Sequence, residues 1–338
     1  MSSSNTSEQS HPSNKSSSTL FIASAVAVVA ISLALFTPAR SLLLKHIAPF
    51  TSRLTPRTMT TATNGSANSS VFGPPRPPPA LQVAKRPWNA RGHADHGWLY
   101  TWHTFSFASY YDPSYESFGP LRVINEDRVE RGTGFGTHQH AEFLIWSYIV
   151  SGELEHKDSM GNLEKLRRGE VQFTSAGTGI RHSEYCRNEE EDVHFLQIWA
   201  KPNVRGLKPS YKTQKYSDEQ KQDKLCRIME STDRHAGSDE EGQPIPLHAD
   251  LTMDASILSP GKKVSHELVK DESRNIYLHL VMSGRTQPKS GGAKIKVGNQ
   301  TMGEGDGAFV LAPKGTGKIE VESVGEKPAE FLLFDMGQ

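Results

Sequence analysis

Two segments of this chain carry the same punctuation. GTGFGTHQH sets His138 and His140 two residues apart, and GTGIRHSEY does the same for His182 and Glu184. On β-strands, where side chains alternate between faces, each pair points to one side, and in a closed barrel that side is the interior. Three imidazoles and one carboxylate on two strands of one barrel make a hard-to-borderline donor set. Such a set suits Fe(II), Mn, Ni or Co and leaves positions open for water, substrate or dioxygen. A lone histidine is most often a surface or satisfied core residue, but two H-x-[HE] pairs after matching Gly-Thr-Gly sequences read as a single metal site.

The elements that must hold these residues are short strands. From Trp98 onward no long segment has helical periodicity, while alternating or β-branched runs recur between Gly, Pro, Asn and Asp, the pattern of an all-β body. Strands are expected near residues 121–124, 143–150, 170–174, 193–199, 276–282, 295–297, 308–312 and 331–334. One helix is expected over 217–229, followed by the polar stretch 230–243, which marks a domain junction. The two halves also rhyme: YIVSG and then RRGEVQFTSAGTG in the first, LVMSG and then GEGDGAFVLAPKG in the second. A repeated unit of strand, Ser-Gly turn, hairpin, Gly-acid pair and apolar strand predicts two copies of one small barrel, and closure removes the exposed edges of so many short strands. The expected domains are residues 89–215, which hold the metal ligands, and 216–338, which lack them: His266 has no H-x-H partner and KGTGKIEVES has no His.

Composition narrows the function further. Two cysteines, Cys186 and Cys226, cannot build a disulfide framework, so the fold must rest on apolar cores in a reducing compartment. Residues 1–94 hold nine Lys/Arg and one acid, Glu8, a balance of +8; with 38 basic and 38 acidic residues overall, the remainder is acidic by the same amount. An acidic body has no electrostatic grip on nucleic acid. Residues 1–19 are too poor in apolar side chains to order and are expected to be a disordered tail. Residues 20–36, LFIASAVAVVAISLALF, reach roughly 25 Å as a helix, the short end of a membrane span. Arg40, Lys45, Arg53 and Arg57 follow it and only Lys15 precedes it, which predicts a retained anchor with the body on the cytoplasmic side. Residues 37–62, rich in Arg, Ser and Thr, also resemble a mitochondrial transit peptide. A start at Met59 would remove the anchor and leave a cytosolic or nuclear protein. The basic, Pro-rich segment 37–88 reads as a linker.

From RGHADHGWLYTWHTFSFASYYDP through LRVINEDRVERGTGFGTHQH, HKDSMGN and SAGTGIRHSEY, the chain resembles the pirins, a bicupin family with some quercetin 2,3-dioxygenases among its members. The resemblance covers nearly all of residues 89–338. It implies two tandem cupin barrels of the double-stranded β-helix, or jelly-roll, type, with one metal, usually iron, in the first. The positions that match the family's ligands are His138, His140, His182 and Glu184; Mn, Ni, Co and Cu are alternatives to Fe(II). It implies in turn a small aromatic substrate, flavonol-like, cleaved with O2, with Glu184 as ligand and catalytic base. The alternative that the family offers is a non-enzymatic, redox-sensitive iron protein that binds transcription-factor partners.

The chain departs from the family at Leu144, where pirins usually carry Glu, a loss expected to alter hydrogen bonding around the carboxylate ligand. Glu142 shares the parity of His138 and His140, so strand alternation would allow it to point inward in compensation. Cys186 shares the parity of His182 and Glu184 and is expected to line the barrel without ligating. The cluster Trp98, Trp102, Phe105, Phe107, Tyr110 and Tyr111 offers either an aromatic entrance or core packing, with packing favoured.

Overall fold

A computed structural model describes residues 80–237, 240 and 242–338. The tail 1–19, the apolar segment 20–36 and all but the end of the linker 37–88 lie outside these residues; among the described residues no helix is long and apolar enough to cross a membrane. In chain order the strands are β1 (Gln82–Arg86), β2 (Gly92–Asp95), β3 (Leu99–His103), β4 (Leu121–Val129), β5 (Gly134–His140), β6 (Leu144–Ser151), β7 (Glu153–Asp158), β8 (Leu163–Arg167), β9 (Glu170–Ser175), β10 (Ile180–Tyr185), β11 (Val193–Ala200) and β12 (Ser210–Lys215). After helix α1 (Asp218–Lys221) come β13 (Cys226–Ser231), β14 (Ile245–Leu247), β15 (Leu251–Leu258), β16 (Lys263–Glu267), β17 (Arg274–Leu280), β18 (Lys294–Val297), β19 (Gln300–Gly303), β20 (Gly307–Ala312), β21 (Lys318–Ser323) and β22 (Ala329–Met336).

The predicted rhyme is a rhyme of topology. The four-stranded sheets run β5-β10-β7-β8 and β16-β21-β18-β19, and the seven-stranded sheets run β12-β9-β6-β11-β4-β3-β2 and β1-β20-β17-β22-β15-β13-β14. The central orders match position for position. At the Gly-acid pairs, Gly169 and Gly305 both adopt left-handed backbone, at φ of 85° and 78°, which a glycine reaches without the Cβ penalty.

Two expectations fail. The helix predicted over 217–229 is one turn: a capping box between Ser217 and Gln220 starts it, but Asp223 takes a positive φ of 56°, and Cys226–Ser231 pairs antiparallel with β15 instead. Tertiary pairing overrides helix-friendly composition there. The segment 82–86, read as the end of a linker, is strand β1. It pairs with β20 in the second barrel, in the place that β12 takes beside β9 in the first, so the chain visits the second barrel before it builds the first.

The two large sheets face one another. Leu144, Trp146, Tyr148 and Ile198 from the first pack against Met253, Tyr277, Phe309 and Phe334 from the second in one core cluster. Beside it Glu126, wholly buried, accepts from Arg91 Nη1 at 3.0 Å, His279 Nε2 at 3.0 Å, His194 Nε2 at 3.2 Å and the Met282 N–H at 2.7 Å. Burial alone would raise this carboxyl's pKa, but His279, His194 and Arg128 hold it well below the usual range. A buried charge is tolerated only when paired in this way, and here the pairing ties the two barrels together.

Candidate metal centre

Register brings the predicted ligands together. His182 on β10 stands directly opposite His138 on β5, and Ile180 opposite His140, with an irregularity between His182 and Glu184. Gly134 permits this approach, because a Cβ there would lie 2.3 Å from the Glu184 carbonyl oxygen. Gly179, at φ 139°, turns the chain into β10. The three imidazole rings lie 4.5 to 4.9 Å apart, centroid to centroid, and His138, His140 and His182 each offer a ligand atom, all within 4.8 Å of one another.

Glu184 stands differently from expectation. Its ligand atom groups within the same 4.8 Å limit with those of His182 and His156, a histidine on β7 that lies opposite Glu184 in the register. The sequence reading did not single out His156, although its strand parity with Asp158 in HKDSMGN was available as a signal. Two further residues that it missed grip the carboxylate: Gln197 Nε2 donates to Glu184 Oε2 at 2.9 Å, and Ser147 Oγ donates to Oε1 at 3.3 Å. Both are polar residues inside the apolar runs LIWSYIVS and VHFLQIWA, and that contrast was their signature.

The electrostatics favour neutral rings with free lone pairs. Burial, then the neighbouring His182 and His138, lowers the His140 pKa to about 3; burial and then His138 and His156 hold His182 well below its ordinary value. The His138 Nδ1 lies 2.8 Å from the Gly136 carbonyl oxygen, to which it donates, and this leaves Nε2 as the ligating atom. His140 Nδ1 and both nitrogens of His182 are buried without a hydrogen-bond partner. Buried polar atoms are seldom left unpaired in native proteins, so these orphaned nitrogens fit a cation that the protein would hold. Burial also pushes Asp127 up to about 7 against a hydrogen bond from Thr101, and the charge of Glu184 adds to the rise.

The remaining expectations sort cleanly. Leu144 belongs to the inter-barrel core, since alternation along β6 sends Ser147, not residue 144, toward Glu184; the missing acid therefore leaves the carboxylate's hydrogen bonds intact. Glu142 does not point inward: at a positive φ of 59° it turns away and accepts from the Gly206 N–H at 3.1 and 3.2 Å. Cys186 is buried among Val129, Ile149, Leu154 and Phe195, lining the barrel apart from the ligands. Of the aromatic cluster, Trp98 packs on Phe135 and Phe105 on Tyr277 and Phe309, Trp102 packs on Trp88 and His93, and Tyr111 is 68% exposed. Phe107 reaches the site through Trp199 at 5.5 Å, and Phe135, on which Trp98 packs, lies 6.5 Å from His138. Trp199, not foreseen, sits edge-on to His140 at 4.7 Å and also meets Phe143.

In the second barrel the strand equivalent to β5 carries His266. Its Nδ1 lies 3.1 Å from Asp254 Oδ2 and its Nε2 2.9 Å from Asp335 Oδ2. Arg227 and Arg274 bind the outer oxygens of the same carboxylates. A ring whose pKa the two carboxylates raise to about 8 thus fills the second barrel, where the described residues include no cluster like that of His138, His140 and His182.

Comparison with known proteins agrees with this architecture. The pirin family model matches residues 85–200 and that of the quercetinase C-terminal cupin domain matches residues 236–336. A quercetin 2,3-dioxygenase of Escherichia coli is 41% identical over 198 residues, 59% of this chain and 80% of that protein. A pirin-like protein of Caulobacter vibrioides is 35% identical over 191 residues, 56% of this chain and 79% of its own. The crystal structure of YhhW from E. coli superposes with a TM-score of 0.65 at 35% identity, covering 76% of this chain and 98% of that one. The bacterial pirin YhhW in complex with nickel(II) superposes with a TM-score of 0.64 at 34% identity, over 75% and 99%.

Proposed function

The chain belongs to the pirin family, and from that premise we propose that it is a metal-dependent dioxygenase of flavonol-like substrates, with the ion held by His138, His140, His182 and Glu184. The observation that carries the reading is the cage of imidazoles, with orphaned nitrogens on His140 and His182, beside a buried carboxylate. The nickel complex of the related bacterial pirin supports a divalent transition metal; Fe(II) is proposed, with Ni, Mn, Co and Cu accepted by the same donors. When bound, the ion supplies Lewis acidity and access to dioxygen.

The chain's own residues do the rest. His138, half-exposed while His140 and His182 are buried, marks the mouth. Trp199, backed by Phe107 and Phe143, gives a flat ring system an aromatic wall next to His140. Among the described residues Glu184 accepts from Ser147 and Gln197 alone, so its oxygens keep lone pairs for an acidic substrate hydroxyl, and it serves as the proton acceptor. The test is oxygen uptake by the metal-loaded chain across a panel of flavonols and catechols. Saturable, metal-dependent uptake is expected, and Glu184→Gln at matched metal occupancy should lose about 10²-fold in turnover. No uptake on any of these substrates would overturn the proposal.

A further inference from the structure

The sheet order β5-β10-β7-β8 places β10 between two histidine-bearing strands. On one side β5 brings His138 and His140; on the other β7 sets His156 opposite Glu184 and Asp158 opposite His182. Everything about His156 fixes its ring. It is fully buried, its plane lies along Tyr211 with centroids 4.9 Å apart at 28°, and Tyr211 is itself tied through its hydroxyl to Glu164. The His156 Nε2 faces Asp158 Oδ2 at 3.4 Å. That carboxylate cannot wander, because it accepts from the Met160 and Asn162 N–H groups at 2.8 and 3.1 Å and from Asn162 Nδ2 at 2.7 Å. A carboxylate that takes one ring N–H and fixes the other nitrogen's direction is the arrangement that orients metal-binding histidines.

The other nitrogen, Nδ1, has no partner. Leaving a buried acceptor orphaned is costly, and packing alone does not explain that cost. Next to the ring stand His182, 5.1 Å away between ring centroids, whose two nitrogens are both unpartnered, and Glu184; the three residues each present a ligand atom, all within 4.8 Å of one another.

We propose that the cage contains two overlapping seats for a metal ion: the outer one built on His138, His140 and His182, which Glu184 completes, and an inner, fully buried one of His156, His182 and Glu184. His156 is thus a fifth metal-binding residue. His182 serves both seats, since neither of its nitrogens is committed elsewhere. The five residues carry one carboxylate between them, so two divalent cations would be left largely uncompensated in a desolvated space, and the seats hold one ion at a time. The inference rests on the cage being a metal cage but not on dioxygenase chemistry.

The experiment is a Ni(II) titration of the metal-stripped full-length chain, with stoichiometry from elemental analysis and folding checked by circular dichroism. Wild type should take up about one ion. His138→Ala/His140→Ala, which destroys the outer seat, should still take up about one ion with affinity weakened by about 10²-fold or more, beyond the usual cost of losing an orienting group. Adding His156→Phe, which keeps the packing on Tyr211 but cannot ligate, should abolish the residual uptake; His156→Gln replaces it if the Phe variant does not fold. A folded double variant that binds no Ni(II), or residual binding indifferent to residue 156, would overturn the second seat while leaving the outer one standing. A wild type that binds no ion would overturn the metal cage and the second seat together, whatever the outcome with flavonols.

Discussion

Replacing Gln197 by Leu isolates the support of the carboxylate. The two side chains are close in volume, and residue 197 sits on β11 facing the barrel interior, so the substitution removes the Nε2 donor at 2.9 Å from Glu184 Oε2 and, with it, the amide oxygen that competes for the Ser147 hydroxyl at 3.3 Å. Among the described residues Ser147 at 3.3 Å then remains the sole donor to a carboxylate buried beside Asp127. A hydrogen bond to a charged group contributes about 1.5–3 kcal/mol, and urea unfolding of the metal-stripped chain should show a loss of that size. Loading should suffer as well. Glu184 without its orienting partner samples other rotamers, and lost outer support of a ligand typically weakens metal affinity by about 10–100-fold, readable by Ni(II) calorimetry. Unfolding free energy changed by less than about 0.5 kcal/mol, against the 1.5–3 expected, together with unaltered Ni(II) affinity, would refute the claim that Gln197 holds the carboxylate.

Glu126→Gln keeps the shape of the inter-barrel cluster but leaves Arg91 buried without its counter-charge; a stability loss of about 3–5 kcal/mol is expected, with Ni(II) affinity unchanged, and a loss below about 1 kcal/mol would show that the cluster does not tie the barrels. His266 gives a pH signature. Burial pulls its pKa down, but Asp254 and Asp335 hold it up to about 8 against an ordinary 6.5. The raised folded value means that the contribution, about 2 kcal/mol, is complete below pH 6.5 and is lost as pH climbs through 8. His266→Gln should flatten stability between about pH 6 and 9 relative to wild type, and an unchanged slope would remove His266 as its source.

Local pattern was enough to give the all-β class, the repeat of the barrel and the four residues of the expected quartet. Each depends on short-range rules: period-2 alternation sends residues two apart to one face, and a Gly-Thr-Gly turn before each pair marks where a strand begins. Nothing local could show that β1 crosses to the second barrel, that Ser217 starts only one helical turn, or that Leu144 faces the inter-barrel core, because each depends on which distant strand pairs with which. The same holds inside the site. His156, Ser147, Gln197 and Trp199 come from strands β7, β6 and β11, and their relation to Glu184 and His140 exists only once the register of β10 against β7 and the closure of the barrel are fixed. The types of the candidate ligands are written in the sequence, but the grouping of their donor atoms into two trios that share His182 was decided by sheet order, which no spacing along the chain encodes.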